Sequence, residues 1–239
     1  MKIDFYNILQ KCYAENLINI ANVNRIRFLS KKYIHSYQMV EYAKKIFGNV
    51  TDEETGALLL HDIGYFIDTS EEAMPHTESG YNYLKNNYSV NECILAAAKF
   101  HDRDSSVDAD LEAYYNQSEL FGKVDYLKTT VKKVIDCDIV SNLDMCINST
   151  EIDDLGIPIN ENIVECLLCN RLGKNEFVTN RIDGIIYMVC GINLLFFEET
   201  KKYVMTNMIN RVKKIVKLGY QISNRNEYMK VLNYLDSFD

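Results

Sequence analysis

Apolar residues recur along this chain at the three-and-four spacing of helices far more often than in the alternation of half-buried strands. His35, Met39, Tyr42, Ala43 and Ile46 fall on one face of a helix predicted over Ser30–Phe47. Thr51 and Glu54 make a capping box, in which each side chain satisfies a backbone N–H of the other. That box predicts a helix through Leu58, Leu59 and Leu60 into His61. Ser89 with Glu92 reads as a second box, opening a helix through Ile94, Leu95 and Ala98 to His101. Between the two, Thr77 begins a helix carrying Tyr81 and Leu84. A long periodic stretch, Val124–Ile147, holds Asp136 and Asp138 in its interior, where aspartate is a poor helix former and needs solvent or a purpose.

From Ser149 to Pro158 the chain is polar with Gly and Pro, a loop or boundary. Helices are then predicted over Asn160–Arg171, Thr179–Phe197, Lys201–Leu218 and Asn226–Leu235. The reading is all-α in three parts: a helical extension over 1–29, a central domain over 30–148, and a helical subdomain over 149–239 packed on it. No internal repeat or flexible linker interrupts this order.

Composition agrees. Two prolines and ten glycines leave little punctuation for a sandwich or barrel, and 47% hydrophobic residues in 239 are ample for a buried core. The longest apolar run, Ile185–Phe197, is interrupted by Gly191 and Asn193 and is shorter than a bilayer requires, so it reads as a buried helix. Met1–Gln10 lacks a signal-peptide layout. Seven irregularly spaced cysteines suit reduced thiols in a cytoplasmic protein. Cys166 and Cys169 form a CxxC, but with Leu167 and Leu168 between them they read as core packing rather than a metal or redox pair.

The net charge of −8 opposes general nucleic-acid binding. It hides an asymmetry: residues 50–160 carry 22 acidic and 7 basic side chains, the remainder 12 and 19. An acidic middle suits cations and basic flanks suit an anionic substrate. The cluster Arg211, Lys213, Lys214 and Lys217 lies along one helix and reads first as a solvated face.

Only four histidines occur: His35, His61, His76 and His101. Each lies on or at the edge of a predicted helix, and together with Asp62 and Asp138 they form an ordered set, H, HD, H, H, D. Imidazole and carboxylate bind borderline and hard divalent ions, and helices can project such ligands inward from several directions. Six donors are too many for one four-coordinate ion and about right for two ions with open positions. Asp136 is a rival to Asp138, and Asp102 a weaker one.

At these residues the chain resembles the HD-domain superfamily of metal-dependent phosphohydrolases. The resemblance rests on His35 in Tyr-Ile-His-Ser-Tyr, His61-Asp62-Ile63-Gly64, His76 with Gly80 four residues on, His101 after Ala-Ala-Ala-Lys-Phe, and Asp138 in Asp-Cys-Asp-Ile-Val-Ser-Asn. It spans about residues 30–148. It implies an HD helical bundle with additional C-terminal helices and two divalent ions, drawn from Fe, Mn, Ni, Co, Mg or Zn. By the same resemblance His35, His61, Asp62 and Asp138 hold one ion, His76 and His101 the other, and Asp62 bridges them. The pattern also departs from members that cleave cyclic dinucleotides, because Tyr65 occupies the lysine slot after HDxG, Phe100 precedes His101, and no Gly-Tyr-Pro follows.

The expected function is therefore hydrolysis of a phosphoester of a nucleotide or other small phosphorylated metabolite by a metal-activated water, with Asp62 assisting proton transfer. Arg103 is the best-placed phosphate donor by sequence, against the alternative that it pairs with Asp102, Asp104 or another nearby carboxylate; Lys99 points away. Tyr65 is assigned to helix packing ahead of substrate contact. The same ligand list also suits an HD-fold diiron oxygenase, and a non-catalytic nucleotide-binding HD module is a third reading. Expected partners are a small phosphorylated substrate, with no nucleic acid and no membrane; a homo-oligomer is left open.

Overall fold

The structure, a computed structural model, describes residues 3–18, 20–67, 74–102, 107–115 and 124–238, of Tyr115 the backbone only. Among the described residues it contains twelve α-helices and no strand, so the protein is all-α. The helices are α1 (Phe5–Ile18), α2 (Val23–Phe47), α3 (Asp52–Leu60), α4 (His76–Asn87), α5 (Glu92–Phe100), α6 (Val107–Tyr115), α7 (Val124–Asn148), α8 (Glu161–Leu168), α9 (Arg181–Gly191), α10 (Glu198–Asn207), α11 (Ile209–Ser223) and α12 (Asn226–Asp236). They divide into two compact units, Met1–Cys137 and Asp138–Asp239, the line falling inside the unbroken α7. No helix among the described residues is long and apolar enough to cross a membrane.

Helix starts are set by short polar side chains that accept orphan backbone N–H groups. The Thr51–Glu54 box opens α3 as expected, with Thr51 Oγ1 accepting from Glu54 N at 3.1 Å and Glu54 Oε2 from Thr51 N at 2.9 Å. Elsewhere the chain favours asparagine: Asn22, Asn91, Asn160 and Asn180 cap α2, α5, α8 and α9. Two sequence expectations change accordingly. α2 begins at Val23, seven residues before Ser30, and α5 is capped by Asn91, whose Oδ1 accepts from Cys93 N at 2.8 Å, rather than by Ser89.

In the first unit α3 is the central element, packed against α1, α2 and α5, with α4 against α5. It is buried all round: Ala57, Leu58, Leu59 and Leu60 are each at most 1% exposed. A helix of that kind needs neighbours on every side, and α1 supplies one through Ile8, Leu9 and Cys12. Glu54, itself buried, also accepts from Lys133 Nζ of α7 at 2.6 Å, tying the start of α3 to the helix that carries Asp138.

The second unit is built on α8, α9, α11 and α12. Fully buried Tyr228 of α12 lies against Gly219 of α11, where a Cβ would stand 2.2 Å from the ring, and its hydroxyl donates to Ile157 O at 2.7 Å. Buried Asp183 joins two helix starts, accepting from Asn160 N, Thr179 N, Thr179 Oγ1 and Asn180 Nδ2 at 2.7–3.0 Å. The apolar run Ile185–Phe197 is not one helix. α9 stops at Gly191, and a 3-10 turn over Ile192–Leu194 leads to α10. The helix expected over Lys201–Leu218 is likewise two, broken at Met208.

The CxxC reading is corrected in one respect. Cys169 follows the end of α8 and is exposed, while Cys166 is half-buried, so the pair is not core packing. Burial pushes the Cys190 thiol up to about 12, with Cys166 nearby adding to it, and burial also raises Cys12. A thiolate is the reactive species. A small alkylating reagent on the native protein will therefore label Cys169 first, with Cys12 and Cys190 labelled only on unfolding, as read by peptide mass spectrometry. Labelling of Cys190 as fast as Cys169 would contradict this packing.

Candidate metal centre

The four histidines arrive on different helices of the first unit. His35 sits on the buried face of α2, with Met39, Tyr42 and Ala43. His61 and His101 each follow the last residue of a helix, α3 and α5, while His76 is the first residue of α4. His61 Nδ1 lies 2.9 Å from Leu58 O, and His101 Nδ1 3.1 Å from Ala97 O. A carbonyl oxygen only accepts, so both Nδ1 atoms carry the proton and both Nε2 atoms are left to face inward.

Asp62 occupies the middle. Its Oδ2 accepts from Lys32 Nζ at 2.7 Å and lies 3.3 Å from His61 Nε2 and 3.8 Å from His35 Nε2. Its Oδ1 faces the other two, His101 Nε2 at 3.2 Å and His76 Nε2 at 3.4 Å, which are themselves 3.1 Å apart. Each oxygen of one carboxylate thus serves a different histidine pair.

Asp138 lies on the continuation of α7, its Oδ1 accepting from Asn142 Nδ2 one turn on at 2.9 Å. Two sets of donors could each hold an ion: His35, His61, Asp62 and Asp138, and Asp62, His76 and His101, the ligand atoms of each set lying within 4.8 Å of one another. All six sequence-selected donors are therefore brought together, with Asp62 common to both sets. Asp136 is fully buried but belongs to neither, since two residues along a helix points a side chain nearly the opposite way from Asp138.

The chemistry of this donor set fits a divalent ion. Burial alone would raise the Asp62 carboxyl, but the charges of His61 and Lys32 and hydrogen bonds from His101 and His61 outweigh it and hold the group well below the usual carboxylate range. Asp62 is ionised at neutral pH, as a ligand must be. The Nε2 atoms of His35 and His61 are buried on the Asp62 Oδ2 side of the cluster. His35, His61, Asp62 and His101 are at most 4% exposed, whereas His76 is partly exposed and Asp102 largely so. The cluster opens to solvent on that side.

Three residues acquire roles that sequence reasoning had weighted differently. Lys32 precedes His35 by three positions on α2, a spacing that puts it on the same face and the only signal in the sequence for its contact with Asp62. Tyr65, expected in helix packing, has its ring stacked on that of His76, with centroids 4.0 Å apart and planes at 11°. Asp102 Oδ2 lies 3.3 Å from His76 Nε2 at the open edge. Lys99 is engaged away from the cluster, 3.7 Å from Glu78 and over the Tyr81 ring. Arg103 lies outside the described residues. Of the C-terminal basic cluster, Arg211 bonds Asp144 at 2.7 Å, Lys213 lies 3.4 Å from Asp236, and Lys214 and Lys217 are exposed.

No protein-family model, curated protein or solved structure matches this chain.

The join between Asp62 and His76 depends on two glycines. The 3-10 turn Ile63–Phe66 after Asp62 packs on the first turn of α4 so closely that a Cβ on Gly64 would fall 1.8 Å from His76 O and 2.9 Å from Gly80 N. Both obstacles are backbone, so no side-chain rearrangement relieves them. Gly64→Ala should cost about 3 kcal/mol of stability in urea unfolding and displace His76 from Asp62. An unchanged midpoint would contradict this close approach.

Proposed function

We propose that this protein is a metal-dependent phosphohydrolase of the HD superfamily, acting on a nucleotide or another small phosphorylated metabolite. Two ions are assigned, one to His35, His61, Asp62 and Asp138 and one to Asp62, His76 and His101. The observation that carries the reading is the split of Asp62, with Oδ2 turned to His35 and His61 and Oδ1 to His76 and His101. A carboxylate so placed suits a pair of ions better than a single one.

Divalent ions bound there would supply Lewis acidity, bringing the pKa of a bound water toward neutrality and offsetting phosphate charge. The chain's own groups prepare for that chemistry. His61 and His101, fixed through Nδ1, present Nε2 without reorganisation. Lys32 keeps Asp62 ionised and places a positive charge beside the cluster, where an anionic substrate needs one. Buried surroundings on the His35 and His61 side exclude bulk water, so substrate enters by the His76 and Asp102 edge. Asp102, exposed there with Oδ2 3.3 Å from His76 Nε2, is placed to accept a proton from an attacking water.

The test is metal analysis joined to a substrate panel. Protein loaded with manganese, cobalt, nickel or iron should hold two equivalents and release phosphate or a nucleoside from some member of the panel. Asp62→Asn should lose both ions and more than about 100-fold in turnover, and Lys32→Gln should keep both ions while losing about 10- to 100-fold. Full metal occupancy with no hydrolysis across the panel would overturn the hydrolytic reading. Two irons with substrate-dependent oxygen uptake would replace it with oxygen chemistry.

A further inference from the structure

Of the histidines in the cluster, His76 is held differently from His61 and His101. Those two are fixed by Nδ1–H donation to Leu58 O and Ala97 O, each from the last turn of its own helix. His76 opens α4, where there is no preceding turn to offer a carbonyl, and among the described residues nothing hydrogen-bonds its Nδ1. What does hold the ring is Tyr65, stacked on it with centroids 4.0 Å apart and planes only 11° from parallel. Lys32 also lies against this stack, its Nζ 4.8 Å from the Tyr65 centroid while donating to Asp62 Oδ2. Tyr65 is itself anchored: Arg25 Nη2 donates to its carbonyl oxygen at 2.9 Å, and Phe28 meets its ring edge-on at 5.2 Å. An imidazole free to turn about its side-chain torsions would point Nε2 away from Asp62 Oδ1 much of the time. A flat ring clamped against it removes that freedom.

We infer that Tyr65 is a positioning residue, its ring stacked on the His76 imidazole so that His76 Nε2 is held toward Asp62 Oδ1 and the second ion, an inference whose metal half rests on the proposed two-ion reading. The contribution belongs to the ring and not to the hydroxyl. Phenylalanine at this position keeps the stack, and leucine, of similar bulk but without a flat face, loses it.

Two readouts separate this inference from the metal reading. The first needs no metal. With only four histidines in the chain, the ring proton signals of His76 can be identified by comparison with His76→Gln. Stacking on Tyr65 shifts them upfield; the shift should persist in Tyr65→Phe and disappear in Tyr65→Leu. The second is calorimetric titration with manganese. Tyr65→Leu should weaken the His76–His101 ion by about 10- to 100-fold while the His35–His61 ion binds as in the wild type, which also shows that the variant is folded. Tyr65→Phe should bind both normally. Unshifted His76 signals in the wild type, unchanged signals in Tyr65→Leu, or equal affinity for both ions in that variant would overturn the inference. Loss of the second ion in Tyr65→Phe would also overturn it, since the hydroxyl would then be responsible. A wild-type protein that shows the ring shift but takes up no ion would refute the metal reading and leave Tyr65 as the group that orients His76.

Discussion

A carboxylate at 2% exposure is costly to bury unless charges and hydrogen bonds replace the water it gave up. Asp62 is such a group, and the first unit is arranged around compensating it. Lys32 from α2 supplies positive charge and a hydrogen bond, and the His61 and His101 rings turn their Nε2 atoms to the two Asp62 oxygens. These partners come from α2, α5 and the end of α3, so the interaction that stabilises one side chain also fixes where those helices must lie. The same compensation makes Asp62 a ready ligand. A charge held ionised inside a ring of imidazoles already faces the field that a cation would supply.

The ends of helices carry much of this site. His61 and His101 stand where α3 and α5 finish, and their Nδ1–H groups go to carbonyls of the last turn, Leu58 O and Ala97 O, the latter also accepting the His101 backbone N–H. One hydrogen bond thereby ties each ring to its helix and sets the tautomer. Helix C-termini also bear partial negative charge, which favours a cation in the space they face. His76 stands instead at the start of α4, brought there by the near contact of Gly64 with Gly80 and steadied by Tyr65. The three inward-facing nitrogens are thus held by two different devices, backbone hydrogen bonds for two and an aromatic stack for the third.

Much of this was legible in the sequence because its signals are local or rare. The Thr51–Glu54 box is a four-residue pattern with a mechanism, and α3 follows from it. Histidine occurs only at four positions, so an ordered set containing all of them stands out, and the structure brings all six donors into one cluster. What was missed depends on pairings between distant segments or on competition between nearby caps. Asn91 outcompetes Ser89 because it lies next to the first helical residue, a difference of two positions that periodicity does not resolve. The breaks at Gly191 and Met208 interrupt apolar patterns that continue in helical register. Lys32 and Tyr65 lie thirty-three positions apart, and their shared place beside Asp62 and His76 exists only after the turn over Ile63–Phe66 folds back on α4.

The central claim is that Asp62 gives one oxygen to each of two ions. Anomalous diffraction from crystals grown with manganese tests it directly. The account predicts two anomalous peaks, one among Asp62 Oδ2, His35, His61 and Asp138 and one among Asp62 Oδ1, His76 and His101. A single peak, or two peaks of which either leaves Asp62 uncoordinated, would contradict it.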